Sequence, residues 1–189
     1  AKLLGEDSTE YAGCSVAAAG DVNGDGLGDI LVGAYRNGEG GSNAGAAYLL
    51  LAPVLGTIEL ADVDAKYLGE AAHDLAGWSV SGAGDIDGDG LDDVLVGAYE
   101  HTGGGEHAGA AYLIQGPGQW SSDLSDAEGK YLGEETWDYA GISVAGAGDV
   151  NADGSADFLI GAKYDTGGPG AGAAYLVYGP SYGIIDMSA

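Results

Sequence analysis

Three acidic stretches are the residues of this chain best suited to chemistry. The first reads Asp21-Val22-Asn23-Gly24-Asp25-Gly26-Leu27-Gly28-Asp29. It returns as Asp85-Ile86-Asp87-Gly88-Asp89-Gly90-Leu91-Asp92-Asp93 and as Asp149-Val150-Asn151-Ala152-Asp153-Gly154-Ser155-Ala156-Asp157. Each copy places a carboxylate or carboxamide at positions 1, 3, 5 and 9. Position 6 is glycine every time, as a sharp turn around a small ion requires. Alternate residues of a tight loop point inward together, so these oxygens can converge on one centre. Calcium accepts about six to eight oxygen ligands of mixed type, and a backbone carbonyl at position 7 adds one more. The expected ligand sets are Asp21, Asn23, Asp25, Leu27 and Asp29; Asp85, Asp87, Asp89, Leu91 and Asp93; and Asp149, Asn151, Asp153, Ser155 and Asp157. That is one Ca²⁺ per loop and three per chain. Asp, Asn and Gly also dominate ordinary turns. Three copies in one register favour the ion, because crowded carboxylates repel unless a cation holds them together.

The loops are not EF-hands, which need a bidentate Glu at position 12 and a helix on each side. Position 12 here is Val32, Val96 and Ile160. The residues that follow each loop, Ile30-Leu31-Val32-Gly33 and its counterparts from Val94 and Phe158, are short apolar runs that read as buried strands. The whole chain repeats around them. Ala12-Gly13-Cys14-Ser15-Val16 matches segments starting at Ala76 and Ala140, and Gly45-Ala46-Ala47-Tyr48-Leu49 matches segments starting at Gly109 and Gly172. Leu3-Leu4-Gly5-Glu6 matches Tyr67-Leu68-Gly69-Glu70 and Tyr131-Leu132-Gly133-Glu134.

Each unit therefore offers four strands: a small-residue segment (Ser15 to Gly20, Ser79 to Gly84, Ser143 to Gly148), the run after the Asp loop, the Ala-Ala-Tyr-Leu segment, and the Lys-Tyr-Leu-Gly-Glu segment. Small residues are poor strand formers unless backbones crowd together, as on the innermost strand of a radial array. The expected fold is all-β, with three β-propeller blades of four antiparallel strands at 1–64, 65–128 and 129–189.

These residues resemble FG-GAP repeats, the calcium-binding blades of integrin α-subunit propellers and their bacterial relatives. The resemblance runs through Gly13 to Tyr35, Gly77 to Tyr99 and Gly141 to Lys163. The leading Phe of the pattern is Ala here (Ala12, Ala76, Ala140), and the closing Pro is Tyr or Lys (Tyr35, Tyr99, Lys163). These departures point to a prokaryotic relative. The resemblance implies structural calcium, a secreted or cell-surface setting and a binding role; the near-identity of the repeats argues against catalysis, because a catalytic site needs unlike residues converging from different blades. It also implies a ligand face opposite the Asp loops, built from 6–11, 70–75 and 134–139 with the loops after Tyr35, Tyr99 and Tyr164.

Composition is consistent with this picture. The 189 residues include 38 Gly and only 4 Pro, which suits many tight turns. Acidic residues number 30 against 5 basic, a net charge of −25. That surplus disfavours nucleic-acid or acidic-membrane partners. A single cysteine, Cys14, rules out an intrachain disulfide, and its apolar counterparts Trp78 and Ile142 suggest a buried thiol. His73, His101 and His107 occur only in the middle unit and read as separate exposed loop residues rather than a zinc site.

The first segment, Ala1-Lys2-Leu3-Leu4-Gly5-Glu6, looks like the fourth strand that the third unit lacks. Three blades are too few to close a ring. The expectation is a two-fold homodimer of six blades, with residues 1–6 completing a partner's last blade; a piece of a longer propeller is the alternative. The functional expectation is a calcium-stabilised protein- or carbohydrate-binding module. Two other readings stay open: a propeller hydrolase or lyase with a site in the central channel, and an ancestral or designed scaffold without a ligand.

Overall fold

The computed structural model describes residues 1–117, 121–164 and 170–188. Its strands are β1 (Lys2–Leu4), β2 (Ser15–Gly20), β3 (Asp29–Ala34), β4 (Ala46–Leu50), β5 (Thr57–Glu59), β6 (Ala65–Leu68), β7 (Ser79–Gly84), β8 (Asp93–Ala98), β9 (Ala110–Ile114), β10 (Ser121–Asp123), β11 (Gly129–Leu132), β12 (Ser143–Gly148), β13 (Asp157–Ala162), β14 (Ala173–Val177) and β15 (Gly183–Asp186). The described residues hold no helix beyond two short 3₁₀ turns at Leu60–Asp62 and Leu124–Asp126. None is long and apolar enough to cross a membrane.

The fold is an all-β array of propeller blades. Blade 1 is the antiparallel run β2-β3-β4-β6, and blade 2 is β7-β8-β9-β11. The fourth strand of each blade is thus the opening segment of the next repeat. A fifth strand, which the sequence pattern does not announce, extends each sheet. β10 adds parallel to β6, and β15 adds parallel to β11. Blade 3 has only β12-β13-β14 among the described residues. β1 does not pair with β14 of its own chain; it forms a separate two-stranded parallel ladder with β5.

β2, β7 and β12 lie beside one another as the innermost strands. Their Ala, Gly and Ser content lets the blades converge. Further out the side chains grow, because alternation along each strand sends one set forward and the other back. Leu31, Leu49 and Tyr67 of blade 1 pack on Val94, Val96, Tyr112 and Ile114 of blade 2. Leu95, Leu113 and Tyr131 of blade 2 pack on Phe158 and Ile160 of blade 3. The back of blade 1, with Val32, Tyr48 and Leu50, is covered by Leu3, Ile58 and Leu60 from the β1–β5 region. The forward face of blade 3 has no such cover: Leu159 and Leu176 are 38% and 40% exposed, against 0% for their counterparts Leu31, Leu95, Leu49 and Leu113.

Between blades, backbone meets backbone. A Cβ at Gly33 would sit 2.0 Å from the Gly77 carbonyl oxygen, and one at Gly97 would sit 2.0 Å from that of Gly141. A Cβ at the equivalent Gly161 would meet only Ser143. Gly97→Ala must therefore part blades 2 and 3 and is expected to cost about 1–3 kcal/mol, as overpacking does. Gly161→Ala should cost much less in an isolated chain, where a serine hydroxyl can rotate away. Denaturant unfolding of the two variants measures the difference.

Candidate metal centres

The Asp loops join β2 to β3, β7 to β8 and β12 to β13, so all three lie on one side of the array. Position 6 adopts the left-handed conformation in each, with φ of 84° at Gly26, 92° at Gly90 and 102° at Gly154. Position 4 does so too, even at Ala152 (φ 61°). This backbone turns the amides inward, and the acidic side chains are oriented by them. Asp21 accepts from the N–H groups of Gly24 (2.8 Å), Asp25 (3.0 Å) and Gly26 (2.9 Å). Asp85 accepts from Gly88, Asp89 and Gly90 in the same way. At position 5, Asp25, Asp89 and Asp153 accept from the N–H of Leu27, Leu91 and Ser155.

In the middle loop, Asp85, Asp87 and Asp89 bring ligand oxygens within 4.8 Å of one another. It is the one such cluster among the described residues. The outer loops differ by having Asn at position 3. Asn23 Nδ2 donates to Asp25 Oδ2 (3.2 Å), and Asn151 Nδ2 donates to Asp153 Oδ2 (2.7 Å). An amide there relieves some of the repulsion that three carboxylates must otherwise give to a cation. The middle loop has no internal donor of this kind, and Gln115 Nε2 reaches over to Asp87 instead. This donor set, hard oxygens at short mutual distance on an exposed turn, fits calcium.

Position 9 has a second task that sequence spacing does not reveal. Asp29, Asp93 and Asp157 are buried. Asp29 accepts from Val22 N–H (3.0 Å) with one oxygen and from Ala52 N–H (2.9 Å) with the other. Asp93 binds Ile86 and Gly116, and Asp157 binds Val150 and Gly179, in the same manner. The carboxylate therefore ties the loop to the turn after the third strand. At Asp93 burial pushes the pKa up to about 7; the two N–H bonds oppose this, and Asp87 and Asp89 add repulsion that raises it further. Asp93 does not belong to the cluster that Asp85, Asp87 and Asp89 form.

Residues 14–50, 76–114 and 140–177 match the family described as FG-GAP repeat. These segments make up more than half of the chain. The chain belongs to the FG-GAP repeat family. Its FG-GAP blades are similar to those of integrin alpha pat-2 of Caenorhabditis elegans, at 31% identity over 180 residues, covering 90% of this chain and 14% of that protein. Integrin alpha-5 of Xenopus laevis is 31% identical over 165 residues, 84% of this chain and 15% of that one. Human integrin alpha-IIb is 31% identical over 166 residues, 85% and 16% respectively. The chain thus spans a small part of the length of these relatives.

On the side away from the Asp loops, the FG-GAP blades carry a band of aromatic rings. Tyr11, Tyr35, Trp78, Tyr99, Tyr139 and Tyr164 follow one another with centroids 4.8–5.7 Å apart. Arg36 lies over Tyr11 and Tyr35, and Lys163 lies over Tyr164. Trp137 stacks on His107 at 4.3 Å. Two hollows open along the band, one lined by Tyr99, Glu100, Tyr139 and Lys163, the other by Tyr35, Arg36, His73 and Trp78. The loop after Tyr164 lies outside the described residues.

Beneath this face sit buried polar pairs that sequence reasoning missed. Tyr48 donates to Glu10 (2.9 Å), and Asn37 donates to both. In blade 2 the same places hold Tyr112, Asp74 and His101, with His101 Nδ1 3.0 Å from Asp74. His101 is therefore buried, contrary to the expectation of an exposed loop residue; its alignment with Asn37 was the available signal. His107 is half-buried against Trp137. His73 is exposed as expected. Cys14 is another correction. The position lies just ahead of the innermost strand at the end of the blade, where its counterpart Trp78 is exposed too, so Cys14 is exposed, although its thiol lies within bonding distance of the Gly33 and Gly77 carbonyls and partial burial raises its pKa.

Asp92, at position 8, faces the neighbouring blade. It accepts from Asp21 N–H (2.8 Å), and its own N–H donates to the Asp21 carbonyl (3.1 Å). Asp92→Ala should cost about 1 kcal/mol with or without calcium, the size of one hydrogen bond. Asp89→Ala should instead abolish the calcium-dependent stabilisation of the middle loop and change little in chelator. Chemical unfolding of both variants in calcium and in EGTA separates the two roles.

Proposed function

We propose that this chain is a calcium-stabilised, non-enzymatic interaction module of the extracellular type, binding a protein or carbohydrate on the aromatic face opposite its Asp loops. The observation that carries the calcium part is the convergence of Asp85, Asp87 and Asp89 without an internal counter-charge. The binding role is supported by membership of the FG-GAP family and by similarity to integrin alpha chains. The extracellular setting rests on the same similarity. One Ca²⁺ in each loop, through positions 1, 3, 5, 7 and 9, would offset much of the local negative charge. The ion would hold the loops; the aromatic band would meet the ligand, since Tyr and Trp are favoured anchors at interfaces.

The sign of the pH effect follows from Asp93. Its proton affinity is higher in the folded chain than in an unfolded one, where Asp titrates near 3.9. In cation-free protein, stability from this group is present below about pH 4 and is lost as pH rises toward about 7. Calcium replaces the proton as counter-charge, and it needs the deprotonated ligand. The rise in Tm on adding calcium should therefore be larger at pH 8 than at pH 5. An unchanged Tm in calcium and in EGTA at pH 8 would remove the calcium reading.

For the binding face, a glycan array and a panel of extracellular-matrix proteins are the probes. Tyr99→Ala is expected to abolish whatever binding they reveal while leaving the calcium response intact. Binding that survives this change, or that is lost only with Asp89→Ala, would move the ligand to the loop side.

A further inference from the structure

Each of the two complete blades is finished by strands that arrive from elsewhere in the chain. The outer edge of β4 takes β6, with Tyr48 opposite Lys66 and Ala46 opposite Leu68. The outer edge of β9 takes β11, with Tyr112 opposite Lys130 and Ala110 opposite Leu132. A parallel fifth strand then adds outside, β10 on β6 and β15 on β11. β14 receives neither strand among the described residues. At the other end of the arc, β1 and β5 already form the same parallel outer ladder, and no described strand fills the inner side of β1. One end lacks what the other end displays.

We propose that a second copy of this chain docks its β1–β5 ladder on the open edge of β14, so that two chains close one ring of six blades. The repeat register places the partner's Lys2 opposite Tyr175 and the partner's Leu4 opposite Ala173.

Three series of contacts within the chain stop at the open end and resume in the partner. The first is ionic. Lys66 pairs with Glu6 at 2.7 Å and Lys130 with Glu70 at 2.7 Å, with both lysines mostly buried. The next member is Glu134, which has no ion pair among the described residues, while Lys2 is exposed. The partner's Lys2 completes the series. The second is backbone hydrogen bonding. Gly69 N–H donates to Gly45 and Gly133 N–H to Gly109, while Asp92 N–H donates to Asp21 and Ala156 N–H to Asp85. The continuation joins the partner's Gly5 to Gly172 and the partner's Gly28 to Asp149. The third is steric. Gly33 and Gly97 abut the carbonyls of Gly77 and Gly141, whereas Gly161 has no backbone neighbour from another blade. The partner's Gly13 carbonyl fills that space. Docking also covers the apolar forward face of blade 3 at Leu159 and Leu176.

Charge opposes the union, because each chain carries −25. Salt screens repulsion beyond about 8 Å at physiological ionic strength, so association should strengthen as salt rises to that level.

Sedimentation equilibrium of the 189-residue chain in calcium and physiological salt tests the proposal. The expected species has twice the chain mass of 18.6 kDa. Lys2→Glu and Glu134→Lys should each weaken the dimer about tenfold per junction, about a hundredfold for the ring, and the double reversal should restore it. Gly161→Ala should dissociate the dimer while the monomer stays folded by circular dichroism. A monomer at micromolar concentration overturns the proposal. So does a trimer or an open polymer, and so does a dimer that none of the three changes weakens by more than about threefold, since its interface would lie elsewhere.

Discussion

The closest constraint in this molecule is the approach of one blade's backbone to the next. Gly77 and Gly141 adopt φ of 78° and 79°, and a Cβ on either would fall 2.0 Å from the carbonyl of Ala46 or Ala110. Only glycine allows both the conformation and the distance. Once the inner backbones touch, the space between blades is a wedge that opens outward. Ala19 and Ala83 on the innermost strands fill its narrow part, Leu31 and Leu95 the middle, and Tyr67 and Tyr131 the wide end. Small inner residues and large outer ones are thus one geometric requirement, and it explains why strands of such low propensity as Ser-Val-Ser-Gly-Ala-Gly persist: packing on neighbours overrides preference.

The same geometry gathers the acidic loops. Each links an innermost strand to its neighbour, so radial convergence brings carboxylates together on one side. The buried Asp at position 9 anchors every loop through two backbone N–H groups, one within the loop and one from the turn after the third strand. An anchor of this kind satisfies amides that burial would otherwise leave unpaired. It also holds a negative charge in a desolvated place, which is why Asp93 titrates so high. The left-handed turn residues and the N–H groups bound by the Asp side chains set the shape of each loop.

The repeating features were readable in the sequence because they obey local rules. Position 6 glycine, alternating oxygens and the apolar runs after each loop follow from turn chemistry and strand period. The bounds of β2, β7 and β12 coincide with the small-residue segments. What escaped was non-local or varied between repeats. β5, β10 and β15 read Thr-Ile-Glu, Ser-Ser-Asp and Gly-Ile-Ile-Asp, too short and too varied to read as strands beyond a shared acidic end, and their parallel partners lie 54 to 55 residues away. The pairing of Asp74 with His101 joins residues from separate loops, and its counterpart in blade 1 uses Glu10 and Asn37. A repeat search scores those as mismatches, although the polar bridge is kept.

Asp21 shows how the loops and the blade stack depend on one another. Its side chain orders three amides of its own loop, while its backbone N–H and carbonyl both bond Asp92 of the next blade. The Asp85 carbonyl likewise receives Ala156 N–H. A force that fixes the first residue of one loop therefore fixes the eighth residue of the following loop. Loop order cannot be lost in one blade without loosening its contact with the next, since the shared residue must move. Neighbour coupling of this kind is what makes repeat arrays unfold as connected units rather than blade by blade. A change at one loop thus reaches the blade beside it through two hydrogen bonds, one of them to the Asp92 carboxylate.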